Sequence, residues 1–204
     1  MKEIVFNQTP LYRFLQLCNE EDNQNSRKIL DCGAGGSKPP LSMFYNHGYE
    51  TTGIDLDINQ VEKADEFGHS NNQNLGIRLG DMTKLDFTDE TFGFVYSYNS
   101  IFHMKKSEIE KSIIEMKRVL KPNGLMFVNF LSIDDFRCGE GPHLGENQYE
   151  QMDDDPVIHS YFEYNEAEKY FSDMKFVLKE RRIIERIYEG ERIRQGFIDY
   201  ILRK

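Results

Sequence analysis

The sequence predicts a doubly wound α/β fold: a mostly parallel sheet with helices on both faces and an antiparallel C-terminal hairpin. Three observations carry this. Short apolar runs alternate with segments of helical periodicity up to residue 131, the pattern of βαβ units. A glycine-rich turn, Gly33-Ala34-Gly35-Gly36, joins one apolar run to the next helix. Two long segments, Phe176 to Tyr188 and Ile193 to Leu202, flank Glu189-Gly190 and read as a hairpin.

Taken in order, Thr9-Pro10 opens a helix, a cap residue followed by Pro at the first helical position. Leu11, Phe14, Leu15 and Cys18 form its apolar face, and the polar stretch Asn19 to Ser26 ends it. Lys28 to Asp31 is a short buried strand running into Cys32 and the glycine turn; Ser37 and Pro39-Pro40 restart a helix carrying Leu41, Met43 and Phe44. Tyr49 to Asp55 is the next strand. Asn59 with Glu62 resembles a capping box for a helix through Val61, Ala64 and Phe67. Leu75 to Leu79 and Phe92 to Tyr98 are strands. Ser107 and Glu110 form a second capping box before Ile109, Ile113, Met116 and Leu120, and Pro122-Asn123-Gly124 turns into the strand Leu125 to Leu131. Residues 133–156 are turn-rich and aperiodic, which in a compact domain marks a functional loop. Val157 to Phe162 follows as a strand, and Asn165 with Glu168 caps a helix through Ala167, Tyr170, Phe171 and Met174.

Composition bounds the function. The 204 residues, 39% hydrophobic and 29% charged with 15 Phe and 11 Tyr, exclude a disordered or collagen-like chain. The chain has no apolar run near the roughly 20 residues of a bilayer span, and the start MKEIVFNQTP lacks a signal-peptide core. Cys18, Cys32 and Cys138 are too few and scattered for a disulfide framework. The expectation is a soluble cytoplasmic protein without a membrane partner. The net charge of −10 argues against nucleic acid. Residues 175–204 run the other way, nine Lys/Arg against five Asp/Glu, which suits the solvent face of strands. A small-molecule substrate is expected.

The chemistry begins at the glycine turn. Placed between a strand and a helix, it lets backbone approach a ligand closely. Asp55 lies 22 residues after Gly33 at the end of the second strand, where a carboxylate can accept both ribose hydroxyls of a nucleoside. Asp57 suits the start of the following helix. Up to this point NAD fits as well as any adenosine-bearing cofactor. Two features separate the options: Lys38 stands where G-x-G-x-x-G has its third glycine, with Pro39 next, and Gly80-Asp81-Met82 ends the third strand. There Asp81 can accept from an adenine amino group while Met82 packs on the ring.

These stretches together resemble the class I S-adenosylmethionine-dependent methyltransferases, within them the group with a type 11 methyltransferase domain. The resemblance rests on Ile29 to Gly35, Gly53-Ile54-Asp55, Gly80-Asp81-Met82, Phe92 to Ser97 and Arg118 to Gly124, in the family's order across residues 25–131. It implies a Rossmann-like, seven-stranded sheet in a single domain over 1–204, with a cofactor-binding core (25–131), a lid or substrate loop (133–156) and closing strands and helix (157–204). It implies S-adenosyl-L-methionine as cofactor, held by Asp31, Cys32, Gly33, Ala34, Gly35, Asp55, Leu56, Asp81, Met82, Ser97, Tyr98 and Asn99, and a small-molecule methyl acceptor. Three positions depart from the family pattern: Ser37 for a glycine, Gly93 for the carboxylate after Phe92, and Asn123 within the Pro-Gly-Gly turn.

Methyl transfer from a sulfonium needs mainly orientation and desolvation, with a base only if the acceptor must lose a proton. His103, after the fourth strand, is the catalytic candidate; His159 and Tyr161 are weaker ones. Arg137, His143 and Tyr149 are candidate acceptor contacts. No metal site is expected, since Cys138 and His143 lack a second pair at ligand spacing. The alternatives are a non-catalytic binding module on the same fold and an NAD-dependent oxidoreductase.

Overall fold

Residues 9–21, 27–153 and 155–204 are described by the computed structural model. Part of the stretch expected to end the first helix, and Asp154, lie outside them. Helix α1 (Thr9–Glu20) buries Leu11, Phe14, Leu15 and Cys18, the stripe its spacing predicts. Then come β1 (Lys28–Cys32), α2 (Leu41–Asn46), β2 (Glu50–Asp55), α3 (Ile58–Asn71), β3 (Ile77–Leu79), β4 (Phe92–Ser97), α4 (Lys106–Val119) and β5 (Leu120–Ser132). The five strands pair in parallel in the order β3-β2-β1-β4-β5. All therefore point their C-terminal ends to one edge, where ligands bind in open α/β sheets.

Next in the chain are β6 (His143–Gly145), β7 (Gln148–Met152), β8 (Pro156–Phe162), a 3₁₀ segment (Glu166–Phe171), β9 (Lys175–Tyr188) and β10 (Glu191–Arg203). The hairpin β9–β10 turns at Glu189-Gly190, both with positive φ, and β10 lies antiparallel to β5 from Phe197–Leu131 to Arg203–Leu125. The order β3-β2-β1-β4-β5-β10-β9 supplies the seven expected strands, mostly parallel with an antiparallel end, and β6, β7 and β8 extend the sheet to ten through β5.

Segment 133–156 is less irregular than its sequence suggests. β6, β7 and β8 form an antiparallel meander, and β8 pairs in parallel with Leu131 and Ser132 of β5. Tyr161 and Phe162 take the flank of β5 beyond the point where β4 stops at Ser97–Val128. The meander thus stands over the ligand edge of the sheet.

Strand alternation divides the interior into two cores. Ile29, Phe94, Tyr96, Phe127 and Ile201 pack with α1, α2 and α3. Leu30, Val95, Met126, Val128, Tyr200 and Leu202 pack with α4 and the 3₁₀ segment. Helices therefore cover both faces.

Three local expectations are corrected. The cap of α3 is Asp57, whose side chain accepts from Asn59 N at 2.8 Å, and not Asn59. The N-cap of α4 is Lys105, whose N–H is accepted by Glu108 at 3.1 Å, and not Ser107 with Glu110. Residues after Asn165 form a 3₁₀ turn and no α-helix; the Asn165 side chain instead accepts from Lys179 Nζ at 2.6 Å.

Candidate active site

Strand β1 delivers the chain into the glycine turn at the centre of the ligand edge. The amides there are used internally: Gly33 and Ala34 both donate to Ile54 O at 2.9 Å, and Gly36 donates to Gln60 O at 2.9 Å. Gly35 donates to Asp55 Oδ2, also at 2.9 Å. The turn contributes shape more than free donors. Gly33 has φ +94°, and a Cβ on it would lie 1.9 Å from Ser100 Oγ and 3.6 Å from Met82 Cε. A Cβ on Gly35 would lie 2.7 Å from Asp55 Oδ2. Only glycine lets these three loops meet.

Cys32 and Ala34 are fully buried, one in each core, so their side chains are packing groups and only their backbone faces the turn. Asp31 is different. It is 1% exposed, and neither carboxylate oxygen has a hydrogen-bond partner. Burial raises its pKa to about 8, with the Tyr96 hydroxyl pulling down and Asp55 pushing up. A carboxyl buried at the end of a central strand is costly to ionise, and a positively charged ligand group beside it would favour the ionised form.

Asp55, half-buried at the end of β2, accepts from Gly35 N and, through Oδ1, from Asp57 N at 3.0 Å. One lone pair per oxygen remains. Leu56, beside it, is 75% exposed. Asp81 follows β3 and is exposed; its Oδ1 accepts both Thr83 N (2.8 Å) and Thr83 Oγ1 (2.7 Å), which orients the carboxylate. Met82 is partly buried against the core that α4 covers.

The end of β4 carries the third part. Ser97 is buried with an unpartnered Oγ, and Tyr98 packs against Phe127 at 6.1 Å. Asn99 has φ +53° and is held by Asn129 of β5 through two amide contacts: Asn99 N donates to Asn129 Oδ1 (2.8 Å) and Asn129 Nδ2 to Asn99 Oδ1 (2.7 Å). Sequence reasoning missed Asn129. Its signal is one polar residue inside the apolar run Leu125 to Leu131, fully buried and so required to find a partner.

Asn99 also lines a cavity of about 260 Å³ with Phe102, His103, Leu131, Asp135, Phe136, Arg137, Asp153, His159, Tyr161, Gln195 and Phe197. The cavity joins the end of β4, the segment after β5 and the meander. His103, His159, Tyr161 and Arg137 from the expected set meet here; His143 and Tyr149 stack on each other at 5.1 Å and do not line it. Asp135, Asp153, Gln195 and the three Phe residues were not foreseen. Desolvation of its ring among the cavity walls, then His159, lowers the His103 pKa to about 4, and burial lowers that of His159 as well. Both imidazoles are neutral at pH 7. Arg137 is fixed by Asp153 (2.7 Å) and Glu140 (3.0 Å). Asp135 accepts from Arg137 N (3.0 Å) and Gly196 N (3.1 Å), tying the cavity floor to β10.

The meander is anchored at the head of α4. Lys106 N donates to the buried Gln148 side chain at 2.8 Å, and Lys106 Nζ reaches Glu166 at 2.5 Å beneath the Phe162 ring.

Comparison with known proteins bears on the domain and the fold. Residues 30–128 match the model of a methyltransferase domain family. The chain is 30% identical over 112 residues to phosphoethanolamine N-methyltransferase of Plasmodium falciparum, a match covering 55% of this chain and 41% of that protein. It is 28% identical over 115 residues to methyltransferase GfsG of Streptomyces halstedii, covering 55% and 41%. The chain thus spans about two fifths of the length of these relatives. Among solved structures, an S-adenosylmethionine-dependent methyltransferase from Methanosarcina mazei superposes with TM-score 0.66 at 22% identity, over 87% of this chain and 92% of that one. Another from Clostridium acetobutylicum gives 0.70 at 14% identity, over 97% and 92%. Among the described residues, no helix is long and apolar enough to cross a membrane. Residues 30–128 thus match a methyltransferase domain, and the chain is similar in sequence to methyltransferases and in fold to S-adenosylmethionine-dependent ones.

Proposed function

We propose that the protein transfers a methyl group from S-adenosylmethionine to a small-molecule acceptor held in the cavity beside Asn99. The observation that carries this is adjacency: the turn with Asp31, Asp55 and Asp81 around it, and the 260 Å³ cavity, meet at one short segment, Ser97 to His103. The cofactor supplies a methyl group on a sulfonium, already activated for displacement. The chain supplies position. In this reading Asp55 takes the ribose hydroxyls, with Gly35 N fixing its rotamer. Asp81 takes the adenine amino group, and Met82 and Leu56 provide apolar contact. Asp31 faces the cationic methionine end and gains from a positive charge nearby.

On the acceptor side, the buried Phe102 and Phe197 give the cavity apolar walls, which strengthens polar contacts beside them. The neutral His103 presents a lone pair to the occupant. Segment 133–156 acts as the acceptor loop, since Asp135, Phe136, Arg137 and Asp153 all come from it. A cavity of this size, near the low end of the roughly 300–1,000 Å³ typical of ligand pockets, suits a small acceptor. The names of the relatives, one acting on phosphoethanolamine, support a small molecule over a macromolecule.

The test is turnover. Protein incubated with S-adenosylmethionine and, in turn, small thiols, amines and hydroxyl compounds is assayed for S-adenosylhomocysteine above a no-acceptor blank. At least one class should raise the rate, and His103→Gln should lower it while cofactor binding persists. Cofactor binding without turnover on any class would instead support a binding module.

A further inference from the structure

Within the cavity, three potential donor groups face one another: His103, Asp153 and His159, whose nearest nitrogen and oxygen atoms all lie within 4.8 Å of one another. We propose that these side chains form a binding site for one divalent transition-metal ion of the zinc or cobalt type, with its open coordination positions facing the acceptor cavity.

The geometry of Asp153 is the first argument. Its Oδ1 is held by Arg137 Nη1 at 2.7 Å, which leaves Oδ2 directed at His159 Nε2, 3.6 Å away. That is too long for a hydrogen bond. It is close to the spacing of two ligands that share a tetrahedral ion at about 2.0–2.2 Å each. The second argument is His159, 4% exposed, with its Nε2 turned to the Asp153 carboxylate. A buried imidazole whose Nε2 has only a distant carboxylate opposite it lacks a satisfying partner. The third is His103. Its ring stands 4.5 Å from that of His159 at 80° and lines the same cavity.

Two imidazoles and one carboxylate are a nitrogen-rich set suited to zinc, cobalt, nickel or iron and poorly suited to magnesium or calcium. Arg137 binds the far oxygen of Asp153, the place of an outer-shell partner that orients a ligand. Three protein ligands leave at least one position open. The cavity offers it to an acceptor hydroxyl or thiol, whose proton would leave to solvent on coordination. The His103 lone pair then goes to the ion.

The experiment uses the full chain, stripped with chelator and titrated with Co²⁺ and then Zn²⁺. Visible d–d absorption and calorimetry are the readouts, and S-adenosylmethionine binding is measured on the same preparations. The expected result is one equivalent of metal, with affinity falling at least about tenfold in each of His103→Gln, Asp153→Asn and His159→Gln. Cofactor affinity should be unchanged in Asp153→Asn. Because His159 is buried, the exposed His103 and Asp153 variants keep the test valid if His159→Gln misfolds. Absence of metal binding to wild type would overturn the proposal, as would binding equally tight in the His103 and Asp153 variants. Either failure leaves the cofactor reading intact, which the parallel titration reads separately.

Discussion

Replacing Asp31 by Asn should change stability in a pH-dependent way that reports directly on its burial. In the folded chain this carboxyl titrates at about 8, against 3.8 for the free side chain, so between those values the native state holds a proton that the unfolded chain has lost. Stability then falls as pH rises, because the native state binds more protons than the unfolded one. The loss is about 1.4 kcal/mol per pH unit. Asn has no proton to lose. Whatever constant penalty its buried amide brings cancels when the same variant is compared at two pH values. Between about pH 6 and about pH 7.5 the variant should therefore gain about 2 kcal/mol relative to wild type. Urea unfolding of both proteins at both pH values measures this, with other titrating groups cancelling in the difference. A stability difference that does not change with pH would refute the reasoning: Asp31 would then be ionised and paired in the folded state.

Further outcomes follow from the same geometry. Gly33→Ala should cost roughly 2–4 kcal/mol in a denaturant melt, from the positive φ and the collision with Ser100. Adding Ser100→Gly should restore the part due to collision and leave the φ strain. Asn129→Ala removes both contacts that hold Asn99 in its left-handed conformation. It should cost about 1–3 kcal/mol and lower methyl-transfer kcat more than it weakens S-adenosylmethionine binding. Since the His103 pKa is lowered to about 4, the kcat/KM profile should lack the inflection near pH 6.5 that an ordinary imidazole produces. Such an inflection, abolished by His103→Gln, would contradict the desolvated environment described for this ring.

The cofactor half of the site was readable from residue order because its parts are strand ends. Asp31, Asp55 and Asp81 each close an apolar run, and in a parallel sheet every such end reaches the same edge. The hairpin was readable from two long segments around Glu189-Gly190. The acceptor half was not. β6 and β7 show no clean alternation, because the meander buries amides where a strand usually buries apolar groups. Gln148 bonds to Lys106 N, and Gln151 to Arg137 O and the Tyr161 hydroxyl. Such partners are distant in sequence and leave no periodic trace. The misplaced caps have a local cause. Asn59 with Glu62 and Ser107 with Glu110 match the capping pattern, yet Asp57 and Glu108 lie two residues earlier and satisfy the first free amides. Asn129 was visible only as an interruption, and its meaning required knowing that Asn99 stands opposite.

The central claim, that this edge of the sheet binds S-adenosylmethionine, is tested most directly by calorimetric titration. S-adenosylmethionine, S-adenosylhomocysteine and NAD would each be titrated into wild type, Asp55→Ala and Asp81→Ala. Micromolar binding of the two sulfur compounds and not NAD, weakened in both variants, is the predicted result. Binding of NAD alone, or binding of the sulfur compounds unaffected by either substitution, would contradict it.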